Sequence, residues 1–237
     1  MFLNEFRLVG DFIHALAILL LILNIIRTRS CYSVSGLTII LYTIVFSFRY
    51  LDLFVFYSNF TIYNRAYKIY YLISSYLLLL LVYVIFRKTR DQVNKNFSIF
   101  GYFIIACLLA ISTYWLDKYH SSNEGLEFFW RCSIFLEIFA IIPQMNLIHK
   151  QGSIDKVMLY YIMMLGFYRA FYIVNWFYRY QTEDFWEPIG FYSGCVQTLV
   201  YLVFFIHIYP QLNKQIKITL VEEKIDPNPP SLVKTFV

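Results

Sequence analysis

Apolar positions along this chain come in long unbroken runs, without the alternation of a half-buried strand or the three-and-four stripe of a soluble amphipathic helix. A bilayer core about 30 Å thick is crossed by about 20 apolar residues in helical form. Seven runs of roughly that length are separated by short polar breaks, and they predict helices over about 7–26, 35–57, 66–86, 97–116, 126–148, 157–178 and 186–209. A membrane β-barrel would show short alternating segments instead. The expected fold class is therefore an all-α integral membrane protein of seven transmembrane helices. The first run carries Glu5 and Asp11 and no small-residue cleavage site follows it, so it reads as a helix and not as a signal peptide. Residues 1–209 form the predicted membrane domain. Residues 210–237 are a polar tail with a proline-rich stretch from Asp226 to Pro230, too polar to fold alone.

Composition agrees with that pattern. Apolar residues make up 59% of the chain and charged ones 15%, against about 25% charged in soluble domains. The 24 Phe and 22 Tyr exceed what two interfacial belts would use, so many rings must pack inside the bundle. Twelve of the 20 Lys and Arg fall in the loops after the first, third and fifth runs and in the tail. By the positive-inside rule that side is cytosolic, which puts the N-terminus in the lumen and the C-terminus in the cytosol. The sequon Asn59-Phe60-Thr61 then lies on the lumenal side. A net charge of +5 concentrated on one side suits anionic headgroups of the lipid bilayer; no nucleic acid is implied. Four scattered cysteines lack metal-ligand spacing, and no cofactor is expected.

The informative residues are charges inside the runs. Arg7, Arg49, Arg131, Arg169 and Arg179 all sit in or at the ends of predicted spans, where an arginine at mid-helix costs roughly 2.5 to 3.5 kcal/mol on insertion scales. Each central one needs a partner or a wet cavity. Asp52 stands three residues after Arg49, and Glu127 precedes Arg131 by four, both spacings suited to an internal pair. Glu137 lies about 9 Å further along its helix than Arg131 and needs a donor of its own. Tyr168, Tyr172, Asn175 and Arg179 recur at three or four and share a stripe beside Arg169 and Trp176. His14 lies one turn after Asp11 and two after Arg7, and its reference pKa of about 6.5 suits a sensor of compartment pH. Guanidinium groups grip carboxylates bidentately, so the set points to an anion or to the C-terminal carboxylate of a peptide. No nucleophile with base and orienting partner, no glycine loop for phosphate and no metal set is present, so an enzyme is not expected.

Several of these segments stand in a familiar order: Phe6-Arg7-Leu8, Gly10-Asp11, His14, Arg27 to Cys31, Ser35-Gly36 and Arg49-Tyr50-Leu51-Asp52-Leu53-Phe54. Glu127 with Trp130, Leu136-Glu137, Ile142-Pro143-Gln144, Tyr168-Arg169, Tyr172, Asn175-Trp176, Arg179-Tyr180 and Val196-Gln197-Thr198 follow. From about Phe6 to Phe205 the chain resembles the KDEL receptors, the endoplasmic-reticulum retention-signal receptors, within the wider PQ-loop and SWEET-like fold of two three-helix bundles joined by a linking helix. The resemblance implies a receptor in ER and cis-Golgi membranes. It would capture the C-terminal Lys-Asp-Glu-Leu or His-Asp-Glu-Leu tetrapeptide of escaped lumenal proteins, more tightly at acidic pH, and return them by retrograde transport. By position it implies that Arg49 holds the terminal carboxylate and that Arg7 and Arg179 hold the acidic residues. Asp52, Glu127 and the ring of Trp130 would meet the basic first residue, and Tyr50, Tyr172 and Trp176 would belong to the same signal-binding pocket. His14 would sense protons, coupled to Glu137, Tyr168 and Arg169, and Lys214 and Lys217 of the tail would meet vesicle-coat machinery. A transporter of a small anionic solute on the same three-plus-one-plus-three plan is the alternative. Three features depart from the family: Val203 replaces an aspartate, Arg131 replaces a small neutral residue, and the tail is longer with fewer clustered lysines.

Overall fold

Several of the helices begin at a polar side chain that caps them. The computed structural model describes residues 4–55, 60–90, 99–113 and 124–210. Helix α1, Glu5–Thr28, starts at Asn4, whose side-chain oxygen accepts from the backbone N–H of Arg7 at 2.8 Å, and stops at Arg29 with φ 52°. Helix α2, Gly36–Arg49, is capped by Ser35, and the short α3, Asp52–Val55, continues its span. Thr61 caps α4, Ile62–Leu80, which passes into a π-helical turn at Leu81–Ile85. Helix α5 is Ile99–Ser112, α6 is Glu124–Ala140, α7 is Ile142–Gln151, α8 is Lys156–Glu183 and α9 is Pro188–Val203, followed by a second π-helical turn at Phe204–Ile208. No strand occurs among the described residues.

Five of the predicted spans are helices long and apolar enough to cross a bilayer, and α5 is a shorter apolar helix in the fourth run. The fifth run differs from the expectation of one helix over 126–148. It breaks at Ile141 into α6 and α7, because Pro143 has no N–H to donate and its ring would meet the carbonyl four residues earlier. The break is put to use. Gln144 accepts from the backbone N–H of Ser35 at 2.7 Å and donates to the carbonyl of Ser33 at 2.9 Å, tying the start of α7 to the start of α2. In the loop before α2, burial pushes the Cys31 thiol up to about 11, so it stays neutral.

The packing repeats itself. Helix α4 lies against α1 and α2, and α9 lies against α8 and α6; across the middle, α1 packs on α8 and α2 on α6, with α5 attached to α6. Two three-helix groups with one linking helix result, and each group's third helix ends in a π-helical turn. Where α1 crosses α8, a Cβ on Gly10 would meet the Tyr172 ring at 3.0 Å. Rings fill the interior as expected: Phe46, Tyr50 and Tyr71 stack in succession, and His14 stacks on Tyr168 at 4.0 Å. Outward positions of α1 are apolar too, with Phe12, Leu19, Leu23 and Ile26 exposed, as a lipid-facing surface requires. Asn59 of the sequon and the whole of 211–237, including Lys214 and Lys217, lie outside the described residues.

Candidate functional site

Between the two helix groups lies a cavity of about 510 Å³. Arg7, Asp11 and His14 reach it from α1, Arg49 and Tyr50 from the end of α2, Asp52 from α3, and Asn64, Tyr67, Lys68 and Tyr71 from α4. Opposite them stand Trp130 and Ile134 of α6 and Tyr168, Arg169, Tyr172 and Trp176 of α8, with Glu187, Gly190 and Ser193 at the start of α9. Ten of the residues expected at a ligand site therefore share one wall system: Arg7, His14, Arg49, Tyr50, Asp52, Trp130, Tyr168, Arg169, Tyr172 and Trp176.

The floor of the site is built around Glu137. Its carboxylate meets Arg49 Nη2 at 2.7 Å and Arg169 Nη2 at 2.5 Å, and accepts from the Tyr168 hydroxyl at 2.6 Å. Arg169 also donates to the Tyr168 oxygen at 2.8 Å, and Arg49 Nε to Ser133 Oγ at 3.2 Å. Glu137 thus has the donors that its depth demands, and two guanidinium groups share one carboxylate. His14 is buried against this assembly, stacked on Tyr168, with Tyr71 at 4.8 Å and Phe46 at 5.8 Å between ring centres. No hydrogen bond to its ring is made among the described residues.

Arg7 is held within its own helix group, by α1 and α4. Its Nε lies 3.6 Å from Asp11, its Nη2 donates to Asn64 at 2.7 Å, and Asn4, which caps its helix, bonds Asn175 of α8 at 2.7 Å. Nη1 of Arg7 is buried without a partner. Asp11 accepts from Tyr63 at 2.8 Å and from Tyr172. The arrangement leaves Arg7 rigid, with one N–H face uncommitted.

Two expected ligand residues stand behind the wall. Arg179 donates to Glu183 at 2.8 Å and lies 4.0 Å from the Phe185 ring and 5.7 Å from that of Trp176. Glu127 is bonded by Arg131, whose Nη1 donates to the carbonyl of Thr113 at 2.7 Å. The pairing of Arg49 with Asp52 that sequence spacing allows does not form. Asp52 takes Lys68 of α4 at 2.5 Å instead. Asn64 precedes the predicted start of that helix at 66, and neither it nor Lys68 was singled out from the sequence, although their spacing of four places them on one helix face.

The ion pairs in which both partners are described join six cations (Arg7, Arg49, Lys68, Arg131, Arg169, Arg179) to five carboxylates (Asp11, Asp52, Glu127, Glu137, Glu183). At Glu137 two guanidinium groups meet one carboxylate, and both Arg49 and Arg169 reach the cavity wall. Among the described residues no group of His, Cys, Asp and Glu has a metal-binding arrangement.

The family described as ER lumen protein retaining receptor matches residues 30–179. Curated relatives align over nearly their whole lengths. The chain is 40% identical to ER lumen protein-retaining receptor 3 of Mus musculus over 92% of this chain and 98% of that one. It is 38% identical to ER lumen protein-retaining receptor 2 of Homo sapiens over 92% and 99%. For ER lumen protein-retaining receptor erd-2.1 of Caenorhabditis elegans the identity is 39% over 85% and 91%.

Proposed function

This chain belongs to the ER lumen protein-retaining receptor family, and from that premise we propose that its cavity holds the C-terminal tetrapeptide of lumenal ER proteins by the free carboxylate. It is a multi-pass protein of ER and Golgi membranes and not an enzyme. The observation that carries the binding mode is the surplus guanidinium: Arg49 and Arg169 both line the cavity and share the single carboxylate of Glu137. A carboxylate entering the cavity restores charge balance there, and a planar guanidinium can bind it with two N–H groups. Arg7, with a buried N–H still uncommitted, is suited to a second anionic group of the same peptide. Tyr50, Tyr172 and Trp176 supply flat walls between these two poles, and Arg179 supports Trp176 from behind. The cavity faces the lumen and the tail the cytosol, where Lys214 and Lys217 meet vesicle-coat machinery.

The test is binding of a peptide ending in Asp-Glu-Leu to the purified full-length protein. Near pH 6 the peptide with a free carboxylate should bind, and its C-terminally amidated form should bind at least about tenfold more weakly. Equal binding of the two forms sinks the proposal.

His14 gives this binding its pH dependence. Its ring contacts Tyr168, which donates to Glu137, so a proton on His14 adds positive charge beside the pair that Arg49 must partly leave in order to hold a ligand. The charged groups facing it are Glu137, Arg49 and Arg169, with Asp11 one turn before it on α1. If the occupied state favours protonated His14, peptide binding takes up a proton, and affinity rises as pH falls. His14→Ala should therefore lower affinity near pH 6 and leave affinity near pH 7.4 little changed. A titration curve in the variant that keeps the wild-type slope removes His14 as the sensor.

A further inference from the structure

Two of the four cysteines, unremarkable by their spacing in the sequence, are brought face to face by the fold. All four are free thiols. Cys132 Sγ of α6 donates to Cys107 Sγ of α5 at 3.7 Å, across a sequence separation of 25 residues. Closing that gap to a disulfide bond of about 2.05 Å takes under about 1 Å of travel from each sulfur.

The pair is held level by contacts above and below it. Arg131 Nη1 of α6 donates to the carbonyl of Thr113, just past the end of α5, at 2.7 Å. Further along, Tyr102 of α5 stacks on Phe139 of α6 with ring centres 5.5 Å apart. The two helices therefore run antiparallel in a fixed register, and Cys107 and Cys132 lie between the two contacts. Ala106 and Ala110, the buried residues of α5, are small and four apart, which lets a neighbouring helix approach closely. The main packing partner of α5 is α6.

We propose that Cys107 and Cys132 form a redox site, in which a peroxide oxidises the facing thiols to a disulfide that staples the linking helix α5 to α6. Hydrogen peroxide is small and uncharged, so it can reach an apolar site from which a charged thiol reagent is excluded, and Cys107 is the more exposed of the two sulfurs. The Cys107 sulfur attacks one peroxide oxygen, the O–O bond breaks, and water leaves with the thiol proton, giving a sulfenic acid. The Cys132 sulfur then displaces the hydroxyl, which leaves as a second water with the Cys132 proton as the S–S bond forms. Two thiols lose two electrons in all, and one peroxide is reduced to two waters. Neither cysteine lines the cavity, so the inference stands apart from the peptide-binding reading.

The test treats the purified full-length protein with hydrogen peroxide and counts thiols by alkylation after unfolding. The count should fall from four to two, with Cys107 and Cys132 recovered by mass spectrometry as one linked pair of peptides, and a reducing phosphine should restore it. The oxidised protein should melt about 5 °C higher than the reduced one, because the link closes a loop of 25 residues in the unfolded chain. Cys107→Ser should keep its three remaining thiols and show no rise; Cys107→Ala is the second variant should the serine form fail to fold. Four thiols left in the wild type, sulfinic acid at either position in place of the link, or a link to Cys31 or Cys195 overturns the proposal. A Cys107–Cys132 link with an unchanged melting temperature overturns the staple.

Discussion

Glu137→Gln should lower the melting temperature of the purified protein by roughly 10 °C, the scale expected when breaking a buried ion pair costs about 3 to 5 kcal/mol in a chain of this size. Glutamine keeps the shape and one acceptor oxygen but withdraws the only charge that Arg49 and Arg169 share at 2.7 and 2.5 Å. Two guanidinium groups then face each other across a neutral amide, with Tyr168 left to donate to a weaker acceptor. The attribution can be checked in the same experiment. Adding Arg169→Gln removes one of the two orphaned cations and should recover part of the loss, whereas a defect of shape alone would grow with a second substitution. A melting temperature equal to that of the wild type would mean that water reaches Glu137 and screens the cluster.

The architecture was readable in the sequence because a bilayer imposes one dominant signal, apolar length, on each helix. The fifth run shows where that signal falls short. Apolar length joined 126–148 into one element, while the backbone answered to Pro143, a local chemical fact that a count of apolar residues cannot weigh. For the charges, the legible part was the part set by a single helix. Glu127 and Arg131 pair as their spacing of four demands. Glu137 was recognisable as a carboxylate in need of donors, but the donors are Tyr168 and Arg169 of α8 in its own helix group and Arg49 of α2 from the other, none of them near it in sequence. Asp52 illustrates the competition. Arg49 was near in sequence, yet α2 ends before Asp52, so the local helix that would have joined them is interrupted, and Lys68 from the next helix takes the carboxylate.

Arg49→Ala should weaken binding of a free-carboxylate peptide by roughly thirtyfold to several thousandfold, corresponding to the 2 to 5 kcal/mol typical of truncating one member of a desolvated charge pair. The folded state should survive the change better than it survives Glu137→Gln. Arg169 still neutralises Glu137, Tyr168 still donates to it, and the loss removes the cluster's surplus charge instead of creating one. Arg49→Lys keeps the charge but offers a compact ammonium in place of two parallel N–H donors, so its affinity should fall between those of the alanine variant and the wild type. The amidated peptide separates a direct contact from a general disturbance of the cavity. If Arg49 grips the terminal carboxylate, amidation and Arg49→Ala remove the same interaction, and applying both should cost little more than either alone. If their effects instead add in full, Arg49 acts on some other part of the peptide, and the anionic terminus is read elsewhere, with Arg7 and its uncommitted N–H as the next candidate.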